Sequence, residues 1–204
     1  KLHELSPASW IMSLRATDLD GDGDEDILYS NRFGSEPGIF WLRNPGRRSG
    51  KWERQLVGGN GHQVMFLSVG DLEGKSARNV ICPTLGGELL YCVRGESGDW
   101  SETVFPLPFG LKAGKGVAIS DVNLDGRPDL VTTSESQREA DDMVSVAWKE
   151  NSPSGWTDHA ISDKHGRKFD RIEMLDVDGD GDLDLITCEE VHDLGVIWYE
   201  NPTR

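Results

Sequence analysis

The chain has 204 residues, with 36 acidic and 21 basic side chains and a formal charge of −15. Such an acidic balance argues against nucleic acid as the main ligand. No apolar run approaches the length that spans a bilayer, so membrane insertion is not expected.

Taken in order, the chain reads as one unit written four times. It opens with Leu2-His3-Glu4-Leu5-Ser6, which resembles the later Asp158-His159-Ala160-Ile161-Ser162. Trp10 and a first strand lead into an acidic loop, Asp18-Leu19-Asp20-Gly21-Asp22-Gly23-Asp24-Glu25-Asp26. An apolar run (Ile27-Leu28-Tyr29), an aromatic-centred strand (Ile39 to Leu42), a polar turn (Asn44-Pro45-Gly46) and a Trp-led strand (Trp52 to Val57) complete the unit. The second unit repeats this order, with an alternating stretch from Val64 to Val69 and a degraded loop from Asp71 to Asn79. The third carries Asp121-Val122-Asn123-Leu124-Asp125-Gly126-Arg127-Pro128-Asp129, and the fourth Asp176-Val177-Asp178-Gly179-Asp180-Gly181-Asp182-Leu183-Asp184. The fourth lacks a Trp-led last strand.

The loops start at 18, 71, 121 and 176, spacings of 53, 50 and 55 residues. That period suits a four-stranded sheet unit such as a propeller blade. Runs of β-branched and aromatic residues between frequent turns, with no long helical period, give an all-β fold class. The expectation is a β-propeller of four units in a single domain over 1–204. Its blades fall at about 10–57, 63–105, 113–161 and 168–202. Residues 2–6 are expected to pair with the last blade, closing the ring so that no long edge is exposed. Six of the seven tryptophans (41, 148, 198; 52, 100, 156) sit at two repeated positions, which reads as packing between units. Trp10 stands apart. Cys82 and Cys92 flank a hairpin, where the restrictive geometry of a disulfide favours two buried free thiols.

The three well-formed loops hold 14 of the 36 acids. Oxygen donors fall at positions 1, 3, 5 and 9: Asp18, Asp20, Asp22, Asp26; Asp121, Asn123, Asp125, Asp129; Asp176, Asp178, Asp180, Asp184. Position 7 (Asp24, Arg127, Asp182) would give its backbone carbonyl, which leaves its side chain free to vary. Calcium takes six to eight oxygens at about 2.3–2.6 Å, and converging carboxylates supply them. About three calcium ions are expected, which would bring the charge to about −9. Magnesium, which prefers to keep several waters, fits less well. An EF-hand is excluded, because position 12 is Tyr29, Thr132 or Thr187 rather than Glu. In the second loop Lys75 and Asn79 replace acids, so no metal is expected there; Lys75 would pair with Asp71 and Glu73.

These loops match the D-x-[DN]-x-D-G-x-x-D pattern, and the endings Trp41-Leu42-Arg43-Asn44-Pro45 and Ile197-Trp198-Tyr199-Glu200-Asn201-Pro202 accompany them. The chain thus resembles FG-GAP/VCBS-type repeat proteins, the integrin-like calcium-binding propellers. The resemblance implies calcium between the first two strands of a blade. It also implies a secreted or extracytoplasmic setting, at the cell surface or in the periplasm. It implies no single activity, since fold and function separate in such families. The chain is also compatible with a place in a larger multidomain protein.

A ligand is expected on the face opposite the acidic loops, where the least repetitive segments lie. The candidates there are Trp10, Arg32, His62, Lys168 and His192, with Lys115, Arg138, His165 and Glu189 in the same loops. The first reading is a module that binds a glycan or a protein. A polysaccharide lyase is the second, with His62, His165 or His192 as base and Arg32 or Lys168 neutralising a uronate; a hydrolase would need a carboxylate pair that the sequence does not single out. The third is a structural or assembly domain. No catalytic residue is nominated.

Overall fold

The computed structural model describes residues 1–46, 50–75, 78–136, 144–163 and 165–203. Within them lie four antiparallel sheets. The first is β1 (Ile11–Thr17), β2 (Asp26–Asn31), β3 (Gly38–Arg43) and β4 (Glu53–Gly58). The second is β5 (Ser68–Gly70), β6 (Asn79–Pro83), β7 (Glu88–Arg94) and β8 (Trp100–Pro106). The third is β9 (Gly114–Ser120), β10 (Asp129–Ser134), β11 (Val146–Ser152) and β12 (Gly155–Ala160). The last sheet, β13 (Phe169–Leu175), β14 (Asp184–Glu189) and β15 (Gly195–Tyr199), has three strands. Each sheet is an up-and-down meander of neighbours in sequence. The four are blades of a β-propeller.

The first strands of the blades face a common axis. Met12 to Arg15, Phe66, Leu67, Gly116, Val117, Arg171 and Ile172 line a small central cavity of about 100 Å³. Alternation then gives each blade two apolar faces, one toward the preceding blade and one toward the next. Leu28, Ile39 and Trp41 pack on Val80, Cys82, Leu90 and Cys92. Ile81, Leu89 and Tyr91 pack on Leu111, Val117 and Leu130. Val131 and Val146 pack on Phe169, Ile172 and Leu185. The Trp-led outer strands lock these seams. Trp100 meets Trp41 edge-to-face at 6.5 Å, and Trp156 meets Phe105 at 5.5 Å. Trp41, Trp100, Trp148 and Trp156 are therefore packing residues between blades, whereas Trp52 packs within the first blade and Trp198 is 46% exposed.

Cys82 and Cys92 are buried free thiols in the seam between the first and second blades. They pair across the ladder with Leu90 and Val80, not with each other. Burial pushes both thiols up, Cys92 to about 12.

Two expectations need correction. The stretch from Val64 to Val69 forms a strand only from Ser68, because its partner Pro83 has no N–H to continue the ladder. Pro83 still accepts a bond from the Met65 N–H at 3.0 Å. Second, residues 2–6 do not complete the last blade. They lie outside any strand, beside Trp52 and Arg54 of the first blade. Ser6 Oγ is 3.2 Å from the Tyr29 hydroxyl, and Asn31 Oδ1 accepts the N–H groups of Ser9 and Trp10. These polar anchors hold the segment on the first blade, where Trp52 packs on Tyr29, Phe40 and Leu42 and the Arg54 guanidinium lies over Phe40. The outer face of the last blade stays open: Val196 is 81% exposed, whereas its counterpart Ile39 is 0% exposed.

Candidate functional site

Each acidic loop joins the first two strands of its blade. In the loop at Asp18, the N–H groups of Gly21 and Gly23 donate to the two Asp18 carboxylate oxygens at 2.7 and 3.2 Å. The loop at Asp176 repeats the pair with the N–H groups of Gly179 and Gly181, again at 2.7 and 3.2 Å. Gly21 and Gly23 lie at φ of 79° and 96°, a region that costs other residues strain, and a Cβ at either would meet open space. Backbone conformation, not crowding, therefore selects glycine here. The turns bring carboxylate oxygens together. Those of Asp18, Asp20 and Asp22 lie within 4.8 Å of one another, as do those of Asp176, Asp178 and Asp184. Such an all-oxygen, anionic donor set suits a hard divalent cation.

Position 9 carries a second task. Asp26 accepts the Leu19 N–H at 3.1 Å on one oxygen and the Asn44 N–H at 2.7 Å on the other. Asp129 does the same with Val122 and Asn151, and Asp184 with Val177 and Asn201. This carboxylate thus ties the loop to the end of the third strand. Burial pushes the Asp129 carboxyl up, against the N–H bonds of Asn151 and Val122. At Asp184 burial acts the same way, but the N–H groups of Asn201 and Val177 and the Trp198 side chain together outweigh it and hold the carboxyl down.

The loops differ in their cations. Arg43 Nε lies 2.7 Å from Asp20, and Arg78 of the second blade reaches Asp18 at 3.2 Å. In the second blade Lys75 pairs with Glu73, as expected, and Tyr91 OH accepts both the Leu72 N–H and the Asn79 side chain. A phenol and an amide there replace the position-9 carboxylate. In the loop at Asp121, Arg127 pairs with Asp125 and also donates to Asn151 O. Leu124 takes φ of 57° where the other two loops have glycine. Arg127 thus turns from a mere carbonyl donor into a counter-ion.

Residues 121–187 match the family model of the FG-GAP-like repeat. Over these residues the chain is similar to an FG-GAP-like repeat. The match runs from the acidic loop of the third blade to just past that of the fourth, about a third of the chain. A search of curated proteins gives no match. Among the described residues, no helix is long and apolar enough to cross a membrane.

At the other end of the blades the candidate ligand residues fall into groups. Trp10 precedes β1 and Arg32 follows β2, so the strand pairing sets them side by side; the Arg32 N–H donates to Trp10 O at 2.8 Å. Phe33 joins them, a residue the sequence reading did not single out. Its ring meets Trp10 edge-to-face at 5.5 Å, and the Arg32 guanidinium lies 4.6 Å from the Phe33 ring and 6.0 Å from Trp10. Both rings are exposed, Trp10 by 58%. His62 is at the same end of this blade, in a turn whose Gly61 N–H donates to Pro37 O at 3.2 Å.

Lys168 and His192 belong to the fourth blade. Lys168 pairs with Glu190, and the backbone N–H groups of Lys168 and His192 donate to the buried Glu189 carboxylate. Four backbone N–H groups converge on Glu189, from Arg167, Lys168, Val191 and His192. Burial raises its pKa, but these bonds outweigh burial and hold the carboxyl below its usual range. Glu189 anchors two loops. His165 is paired with Asp163 at 2.8 Å, and Lys115 is buried on β9 against Glu135 at 3.2 Å. Neither is a free loop group. Arg138 lies outside the described residues.

Proposed function

We propose that this FG-GAP-like propeller is a calcium-stabilised binding module of the extracytoplasmic space that takes a glycan on the face opposite its acidic loops. The observation that carries the reading is the pair of exposed rings, Trp10 and Phe33, with the half-buried Arg32 guanidinium between them. Aromatic faces stack on the C–H faces of sugar rings, and a guanidinium donates paired hydrogen bonds to hydroxyls or carboxylates. His62 adds a polar group at the same end.

Calcium would be held by Asp18, Asp20 and Asp22 in the first blade and by Asp176, Asp178 and Asp184 in the fourth. Asp26, Asp180 and the main chain of Asp24 and Asp182 complete these loops. The third loop, with Asp121, Asn123, Asp125 and Asp129, would bind more weakly, because Arg127 must release Asp125. Such ions supply charge balance and fix the loops. Extracellular calcium modules work at dissociation constants of about 10⁻⁴ to 10⁻³ M, which suits the setting.

The test is a glycan array run in millimolar calcium with wild-type protein and Trp10→Ala, beside an absorbance assay for unsaturated uronate products. Binding that drops about tenfold or more in the variant supports the reading. Binding that Trp10→Ala leaves unchanged, or capture of proteins but no glycan, contradicts it. Turnover of a uronate polymer would replace it with the lyase reading.

A further inference from the structure

The aromatic cluster of the first blade is held together from below by one side chain. Asn31, 4% exposed at the end of β2, joins the two segments that carry it. Its Oδ1 accepts the Ser9 and Trp10 N–H groups at 3.2 and 3.1 Å, and its Nδ2 donates to Glu36 O at 2.7 Å. The chain before β1 and the loop from β2 to β3 are fixed by the same residue. They approach so closely that a Cβ at Gly34, where φ is 108°, would overlap Ser9 Oγ. Trp10, Arg32 and Phe33 are thus positioned before any ligand arrives, which lowers the ordering cost of binding.

Within this frame Arg32 has no counter-ion. Arg43, Arg54, Arg78, Arg127 and Arg171 each pair with a carboxylate. Arg32 meets none among the described residues, and its Nε is buried without an acceptor. The one acid of its own loop, Glu36, is taken by Arg54 at 3.0 Å. Arg54 is itself fixed by the Tyr29 hydroxyl at 3.1 Å and by the Phe40 ring. Arg94 also lacks a carboxylate among the described residues, but it covers Trp41, which is 2% exposed inside a seam between blades. Arg32 lies instead against two rings open to solvent, Phe33 at 37% and Trp10 at 58% exposure.

We infer that the ligand of this site is an acidic sugar, whose carboxylate or sulfate pairs with Arg32 while its ring lies against Trp10 and Phe33. The inference rests on the glycan reading above and narrows it. An acidic group presents two oxygens to the guanidinium fork, a charge-assisted pair that the hydroxyls of a neutral sugar do not match. The rings beside the guanidinium keep water from part of it, and a pair formed there is stronger than one in open solvent. The chain's formal charge of −15 does not oppose this. Its acidic loops lie at the other end of the blades, and exposed charges farther off than about 8 Å are largely screened at physiological salt. The local cation therefore sets what the site attracts.

The test is binding of the full chain, in millimolar calcium, to immobilised uronate and sulfated oligosaccharides, each beside its carboxyl-reduced or desulfated form. Capture of an acidic form, with binding of its neutral partner weaker by about tenfold or more, is the expected result. The uronate and sulfate arms show which acid the site takes. Arg32→Gln should weaken the acidic ligand by about tenfold to a hundredfold and erase the preference, with unchanged circular dichroism. Arg32→Lys should recover part of the loss, since it restores the charge without the fork. Equal binding of acidic and neutral forms, or a preference that Arg32→Gln leaves intact, overturns the inference while the glycan reading stands. No sugar bound in either form removes both. The wild-type comparison decides the matter even where Arg32→Gln fails to fold.

Discussion

Asp26, Asp129 and Asp184 show how much one side chain carries here. Each sits at position 9 of its loop and accepts two backbone N–H groups, one from the loop and one from the end of the third strand or just past it. Asp26→Ala would leave the Leu19 and Asn44 N–H groups unpaired, at a cost of about 2–4 kcal/mol. Urea unfolding in EDTA isolates this term from any metal; an unchanged midpoint there would limit Asp26 to a role as ligand. The sequence marks Asp26 as an oxygen donor through its spacing. It does not mark the second task, because the partners are main-chain groups 7 and 18 residues away. Backbone N–H groups leave no trace in residue identity.

Glu189 gives a second prediction at this scale. Its carboxyl is held below the ordinary value of about 4.3 by the four N–H bonds that outweigh burial. A depressed folded pKa means stability that is complete above the unfolded value and is lost as pH falls through the folded one. Glu189→Gln should therefore be less stable than wild type at pH 7, and the difference should shrink below about pH 4. Thermal melts across that window check it; a difference that grows on acidification would show the opposite sign.

Among the elements, the outer strands decide how blades hold together. Trp100→Ala removes the ring that packs edge-to-face on Trp41, and should cost about 3 kcal/mol. Denaturant unfolding of that variant measures the seam between the first two blades. Strand identity was legible because β-branched and aromatic runs recur with the loops. β5 was not, since an apolar run such as Val64 to Leu67 looks like a strand until Pro83 is seen opposite it. Lys115 was misread for a similar reason: a lysine beside a glycine resembles a loop group, and only the pairing of β9 with β10 buries it against Glu135. Phe33 drew no attention alone. It gains meaning only when the β1–β2 ladder sets Trp10 beside Arg32.

For the whole molecule, the spacing of four similar loops was enough to give an all-β repeat architecture, and the blades follow it. How the last blade ends was not legible. The likeness of residues 2–6 to 158–162 points to a strand on β15, and the structure places that segment on the first blade instead, where Ser6 meets Tyr29 and the following Ser9 and Trp10 donate to Asn31.

The central claim is that the acidic loops bind calcium and thereby hold the blades. A melting curve in one millimolar calcium against one in EDTA tests it most directly. With sites of about 10⁻⁴ M at the loops of Asp18 and Asp176, calcium should raise the midpoint by about 5–10 °C. Paired Asp22→Ala and Asp180→Ala substitutions should remove most of that gain. Superimposable curves for the wild-type protein would contradict the account.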